Sequence, residues 1–389
     1  MWDQYRLTEN QLTEVADLLA ARVEEGLAAE GRELRCLPAW LARPRGGLSG
    51  EALALDAGGT NMRAARLRLA PGAATFLAGP AGGPLPTGRD GPIDAAAFFD
   101  PQAALLREIA SGDLPLGYCF SYPAVVGPDR DAVLLRWTKE VRVEGVVGQP
   151  VGALLREALL RAGAPQRGVT VLNDTVACLM AGATLPAAGD ADGMIGLIVG
   201  TGTNMATFFG RDRLTKLGAG HGGPDPMAVN LESGNFTPAC LTETDDRLDA
   251  GSETAGTQRF EKAVSGVYLG KLLASEIPGL QGVAARGAAA VTALRDQPAA
   301  PPLVRELATA LLDRSADLVA AGLAGLARLL VPHGGTLLLQ AEGGLFWGAL
   351  GYAVRVDQTL GRLLGDGTTV TIHSMENANL IGAAVAALS

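Results

Sequence analysis

Apolar residues recur at helical spacing between residues 8 and 30, where Leu12, Val15, Leu18, Leu19 and Val23 share one face. Thr8 and Gln11 ahead of them have the spacing of a capping box, so the pattern predicts an amphipathic helix with a defined start. A turn-rich stretch then leads to a continuous apolar run at Ala52 to Leu55, the length of a buried strand. Leu116 to Pro123 is a second apolar strand breaking into a turn, and Gly168 to Leu172 is a third, followed by a helical run from Val176 to Ala183. The Gly/Pro/Ala-rich segments 70 to 92 and 279 to 302 show no period of their own and are read as connecting loops, although alanine also tolerates short helices.

The informative pattern is an internal echo. Leu53-Ala54-Leu55-Asp56-Ala57-Gly58-Gly59-Thr60-Asn61-Met62 is matched by Leu197-Ile198-Val199-Gly200-Thr201-Gly202-Thr203-Asn204-Met205, and both strings end in Gly-Thr-Asn-Met after an apolar run. More strand-like residues follow each, Ala64 to Leu69 and Ala206 to Phe209, so each copy predicts a β-hairpin with a Gly/Thr turn. Glycine permits close backbone approach, and such a turn can aim successive N–H groups at phosphate oxygens while threonine hydroxyls add donors. A single turn of this kind is usually just a tight hairpin, and it fits neither the Rossmann nor the Walker spacing. Two matched copies point to a pair of turns gripping one polyphosphate. Aligning them sets Asp56 opposite Val199, so only the first carries an acid, able to hold Mg²⁺ directly or through water. The duplication therefore predicts one active site.

Between the turns, Asn173-Asp174 closes the strand that begins at Gly168. A carboxylate at a strand end beside a cleft can accept a proton from a substrate hydroxyl, with Asn173 bonding a neighbouring hydroxyl. Aspartate is equally a favoured helix N-cap, and the two roles are compatible. Ser121, Thr138 and Lys139 offer donors suited to a polyhydroxylated ligand, or are ordinary strand ends; Glu232 and Glu261, the latter expected on a helix, have solvated surface as their plain reading.

Length and composition narrow the classes. A chain of 389 residues with 48% hydrophobic content suits two domains. The N-terminus does not read as a secretory signal, and Asp313, Arg314, Asp317 and Arg328 interrupt the longest apolar stretch, so no membrane partner is expected. Cys36, Cys119, Cys178 and Cys240 are widely spaced and remote from His221, His333 and His373, which argues against a zinc site or a disulfide framework and suits a reducing cytoplasm. A net charge of -9 makes nucleic acid an unsuitable partner.

Taken in order, these segments resemble the hexokinase family. Leu53 to Arg63 resembles its phosphate-1 motif, and Leu116 to Pro123 with Trp137-Thr138-Lys139 its sugar-binding segment. Leu172 to Thr175 resembles the base motif and Ile198 to Asn204 the phosphate-2 motif. Asn230 to Phe236 and Phe260-Glu261-Lys262, with Ser265 to Gly270 after them, resemble the large-domain sugar contacts and the helix behind them. The resemblance implies an α/β fold of two ribonuclease-H-like, actin-like ATPase domains flanking a cleft. The small domain would comprise 46–173 plus 375–389, and the large domain 1–45 plus 174–374.

The same resemblance implies ATP-dependent phosphorylation of the 6-hydroxyl of glucose, with mannose or fructose as further substrates, by a monomer or homodimer. Asp174 would be the general base, assisted by Lys139. Ser121, Thr138, Lys139, Asn173, Asn204, Glu232 and Glu261 would bind the sugar. Asp56, Gly58, Gly59, Thr60, Asn61, Arg63, Gly200, Thr201, Gly202, Thr203, Gly343 and Gly344 would bind the nucleotide, with Asp56 attending Mg²⁺. Three positions depart from the pattern. Ser233 stands where the family usually has tryptophan, which would change the packing of the loop carrying Glu232. Glu342-Gly343-Gly344 varies an adenosine-side Asp-Gly-Ser turn, and Asn377 to Gly382 stands in place of a glycine-rich nucleotide turn, keeping only Gly382. The chain is also shorter than a typical member, with regulatory insertions expected to be absent. Two rivals follow: a sugar sensor that closes but hardly turns over, supported by the altered turn near Ala378, and a bare actin-like ATPase, which leaves Thr138, Lys139, Asn173, Asp174, Glu232 and Glu261 unexplained.

Overall fold

A computed structural model describes residues 2–44, 48–164, 166, 168–218 and 220–389; the domain boundary expected between residues 45 and 46 lies outside the described residues. Helix α1 (Glu9–Ala28) starts at the expected capping box, with Thr8 and Gln11 each satisfying the other's backbone N–H. Strand β1 (Leu37–Ala42) leads to β2 (Gly50–Ala57), β3 (Asn61–Ala70) and β4 (Ala73–Pro84), then α2 (Ala95–Ile109), β5 (Leu116–Phe120), the short pair β6 (Ala124–Val126) and β7 (Ala132–Leu134), α3 (Val151–Arg161) and β8 (Val169–Leu172). Helix α4 (Asp174–Gly182) opens the second half, followed by β9 (Gly193–Val199), β10 (Thr203–Phe209), β11 (Met227–Asn230), α5 (Glu243–Ala250), α6 (Arg259–Val264), α7 (Gly266–Glu276), α8 (Gln281–Asp296) and α9 (Pro302–Leu330). The chain ends with β12 (Gly335–Glu342), α10 (Gly344–Gly348), α11 (Tyr352–Leu364), β13 (Thr368–His373) and α12 (Ala378–Leu388).

The sequence echo is an architectural repeat. One sheet has the order β4-β3-β2-β5-β8 and the other β1-β11-β10-β9-β12-β13. In each, a hairpin and a third antiparallel strand are followed by two strands added in parallel to the hairpin's first strand. The copies differ in register. Ala57 pairs with Met62 around residues 58–61, whereas Val199 pairs with Thr203 around residues 200–202.

Helices α4 and α12 pack in one apolar cluster with residues of both sheets. Along β2, Leu53 and Leu55 face a core shared with α2 and α3, while Ala52 and Ala54 face α12. Small residues let these layers approach closely: a Cβ on Gly117 would lie 1.9 Å from the Ala383 carbonyl oxygen, and one on Gly382 would lie 1.8 Å from that of Ala177. Gly382 is thus a helix-crossing residue inside α12, which corrects its reading as the remnant of a nucleotide turn.

Two further expectations are corrected. Segment 70 to 92 contains β4, an edge strand with no fully buried residue on either face, so no alternation of apolar and polar residues is required of it. Segment 279 to 302 contains α8, built largely from alanine, the strongest helix former, and broken only at Gly287. Among the described residues no helix is long and apolar enough to cross a membrane.

Candidate active site

The first turn sits on an aromatic base. Gly58 N–H donates to Asn61 O at 3.0 Å, and the Tyr122 hydroxyl donates to Gly58 O at 2.7 Å. Tyr122 packs edge-on to Trp137 at 4.9 Å between ring centroids and is tilted on Phe120 at the same distance. Thr60 and Asn61 are exposed, with Asn61 Nδ2 donating to Thr60 Oγ1 at 3.2 Å. Asp56, at the end of β2, is buried; its Oδ2 accepts from Arg63 at 3.0 Å, and its Oδ1 is buried with no partner. Arg63 also reaches Asn377 Oδ1 at 3.2 Å, tying the turn to the start of α12.

The second turn is braced by backbone. Gly200 N–H donates to Gly202 O at 2.9 Å, and Gly266 N–H at the start of α7 donates to Gly200 O at 2.7 Å. Gly343 lies directly beneath, with φ of +119° and so little room that a Cβ would sit 2.2 Å from Val199 O; no other residue fits there. Beside Gly200, Thr201 and Gly344 opens a slot of about 590 Å³, walled by Val267 and Leu345 and by the Ala284–Ala289 stretch of α8. Helix α8 therefore belongs to the site and is no mere connector.

The acids converge between the turns. Asn173, not Asp174, caps α4: its Oδ1 accepts from Thr175 N–H at 2.9 Å. Asp174 occupies the first helical position, and its Oδ1 accepts from Thr175 N–H at 2.8 Å and from Thr175 Oγ1 at 3.3 Å. Those bonds orient the carboxylate and leave Oδ2 without a protein donor among the described residues. Burial, then the charges of Asp56 and Asp174, push the Cys119 thiol on β5 well above its ordinary value, so both carboxylates bear on one strand end.

Glu232 is half-buried, so its surface reading is corrected; burial raises its carboxyl pKa, Asn230 opposes that by donating to it, and the charge of Asp174 adds to the rise. Glu261 stands on α6 as expected and its surface reading is corrected likewise; burial raises its pKa, Thr203 N–H lowers it by donating to Oε2 at 3.1 Å, and Glu232 raises it further. Lys139 counters that last charge. Its Cδ would lie 3.0 Å from a Cβ on Gly59, while Glu261 Oε2 would lie 2.6 Å from one on Gly202. Lys139 thus stands against the first turn and Glu261 against the second.

Other residues named from the sequence are engaged within the protein. Lys139 Nζ donates to Ser121 O at 2.9 Å and lies 5.4 Å from the centre of the Tyr122 ring. Ser121 is buried and Thr138 half-buried on the same loop system. Asn204 Oδ1 accepts from Met205 N–H and Ser233 N–H at 2.8 and 3.0 Å, and its Nδ2 donates to Asn230 Oδ1 at 2.7 Å. Ser233 is fully buried and helps hold Asn204. Backbone strain gathers here: Lys139, Glu232, Gln258 and Asn377 all adopt left-handed φ, and Gln258 reaches Glu261 at 3.4 Å. Tyr122 and Asn230 lie in the segments 116–123 and 230–236 read as sugar-binding but have no role of their own in that reading, and α8 lies in a segment read as a loop.

Two family models, both described as Hexokinase, match residues 1–184 and residues 194–277 with 285–389. The chain belongs to the hexokinase family. Hexokinase-1 of Oryza sativa is 35% identical over 282 residues, covering 68% of this chain and 55% of that one. Hexokinase-2 of Candida albicans is 32% identical over 290 residues, covering 70% and 58%. The chain thus spans little more than half the length of these curated hexokinases. Among solved structures, a hexokinase from Schistosoma mansoni complexed with glucose superposes with a TM-score of 0.82 at 25% identity, covering 99% of this chain and 96% of that one. A ROK hexokinase from Thermus thermophilus shares the fold at a TM-score of 0.57 and 20% identity, covering 87% and 97%. The architecture is accordingly the two-domain, actin-like ATPase fold of hexokinases, with two ribonuclease-H-like sheets flanking a cleft.

Proposed function

We propose that this chain transfers the γ-phosphoryl group of MgATP to the 6-hydroxyl of a hexose, glucose first, with mannose or fructose as further substrates. The observation that carries the reading is Lys139 against the first Gly/Thr turn and Glu261 against the second, with the charge of Lys139 felt at Glu261 and that of Asp174 at Glu232. The glucose bound in the Schistosoma mansoni hexokinase supports the choice of sugar. In this reading the small domain is 46–173 plus 375–389 and the large domain 1–45 plus 174–374, and the four widely spaced cysteines suit a cytoplasmic setting.

Asn173, Glu232 and Glu261 would accept or donate to sugar hydroxyls, with Ser121, Thr138 and Asn204 completing the wall. Asp174 Oδ2 takes the proton of the 6-hydroxyl as its oxygen bonds to the γ-phosphorus and the bond to the β-phosphate oxygen breaks, releasing ADP. The N–H groups of both turns stabilise charge spread over the transferred phosphoryl oxygens. The slot beside Gly200 and Gly344 is shaped for the flat base, with Thr201 at its phosphate end. The buried, unpartnered Oδ1 of Asp56 fits a divalent cation held directly or through water. Mg²⁺ there would neutralise phosphate charge and orient the chain of oxygens for in-line attack. Closure of the cleft on the sugar would exclude water as a competing acceptor.

The sensor reading, supported by the altered turn near Ala378, differs from this one in predicting glucose binding with hardly any turnover. The function is tested by a matrix of hexoses against phosphoryl donors, scored for sugar phosphate and ADP. Product from glucose and MgATP supports it, and binding of glucose with no turnover on any donor overturns it.

A further inference from the structure

We infer that Asn230 is a positioning residue for sugar recognition, its carboxamide holding both the backbone and the carboxylate of Glu232 in place. The inference rests on the proposed contact between Glu232 and the sugar.

Glu232 lies just beyond β11 with φ 57° and ψ 43°, a left-handed conformation that a non-glycine residue keeps only when its surroundings enforce it. Asn230 supplies much of that enforcement. Its Oδ1 lies 3.4 Å from the Glu232 N–H, and its Nδ2 donates to Glu232 Oε1 at 2.7 Å. From the other side, Asn235 donates to Glu232 O through its backbone N–H at 3.1 Å and through Nδ2 at 3.2 Å.

The orientation of Asn230 is itself determined. Two backbone N–H groups, of Met205 and Ser233, point at one atom of Asn204, which must therefore be its oxygen. Asn204 Nδ2 then faces Asn230 and requires an oxygen there, which turns Asn230 Nδ2 toward Glu232. Asn230 is buried and pairs with Ala206 on β10 and with Leu37 on β1, so its backbone is fixed by strands on both sides. An amide donor suits the task because it occupies one carboxylate oxygen without neutralising the group, leaving Oε2 to receive a hydroxyl.

The arrangement also sets when Glu232 is ionised. Burial and the charge of Asp174 favour its neutral form, while the Asn230 donor and the charges of Arg35 and Arg136 favour the carboxylate. Glu261 faces it as a further acid. Without Asn230 the carboxyl should hold its proton to higher pH.

The test uses the full chain and compares Asn230→Ala and Asn230→Asp with Glu232→Gln, measuring glucose affinity by calorimetry across pH together with kcat and both KM values. Asn230→Ala should weaken glucose binding about tenfold, leave the KM for ATP unchanged, and shift the acid-side loss of glucose affinity to higher pH. Asn230→Asp should shift that loss further, because it sets a second carboxylate beside the first. Normal glucose affinity with an unmoved acid limb in Asn230→Ala overturns the inference, as does an equal loss toward both substrates. If Asn230→Ala does not fold, Asn230→Val, which suits a strand and offers no side-chain donor, is read by the same criteria. Should Glu232→Gln bind glucose normally, it is the sugar contact of Glu232 that fails; should it bind weakly while Asn230→Ala binds normally, only the role of Asn230 fails.

Discussion

Replacing Asp56 by alanine separates what this carboxylate does for the fold from what it does for the reaction. Its Oδ1 is buried without a partner, a state that costs about 1–3 kcal/mol in the ligand-free protein. Its Oδ2 pairs with Arg63, whose side chain is 45% exposed, and accepts from Asn379 Nδ2 at 3.5 Å, so these bonds together are worth about 0–2 kcal/mol. Removing the carboxylate relieves the first and forfeits the second. Asp56→Ala should therefore unfold in denaturant with a stability between about 1 kcal/mol below the parent's and about 3 kcal/mol above it. Its function should go the other way. Saturating MgADP at a hundred times its Kd stabilises a binding-competent protein by about 2.7 kcal/mol, and the variant should lose most of that gain. Its kcat should fall by about a hundredfold or more. A variant that keeps both turnover and the nucleotide-dependent gain would refute the assignment of Asp56 to the phosphate side, and one destabilised by more than about 1 kcal/mol would refute the reading of Oδ1 as an unsatisfied group.

Two further outcomes follow from packing and charge. Gly382→Val would place a Cβ 1.8 Å from Ala177 O and should cost at least about 1–3 kcal/mol by forcing α12 off α4, whereas Gly361→Ala on α11, with nothing within 4 Å, should be neutral or stabilising; thermal melts of the pair check this. Glu232 and Glu261 both have folded pKa values raised, burial first, above the ordinary 4.5, so the folded state holds protons that the unfolded state has released. Stability of the sugar-free protein should then fall as pH rises from 4.5 through the raised values, and Glu261→Gln should flatten the fall in a pH series of melts; an unchanged slope contradicts it.

What the sequence made legible was local and polar. The duplicated Gly-Thr-Asn-Met strings, the capping box at Thr8 and the strand ending at Asn173-Asp174 each carry their own geometry within a few residues. The differing registers of the two hairpins were not legible, because they are set by cross-strand pairing that identical strings do not encode. Strand β4 was hidden because neither of its faces is fully buried, and α8 because alanine yields no amphipathic period. The role of Gly382 depends on a helix more than two hundred residues upstream, and that of Asn230 on a chain of side-chain bonds through Asn204; neither leaves a local trace.

The most direct test of the account is the turnover of Asp174→Ala measured alongside its glucose affinity. If Oδ2 of this residue receives the hydroxyl proton, kcat should drop by about 10²- to 10⁴-fold while the glucose Kd stays within a few-fold of the parent's. Turnover within tenfold of the parent's, or a loss confined to sugar binding, would contradict it.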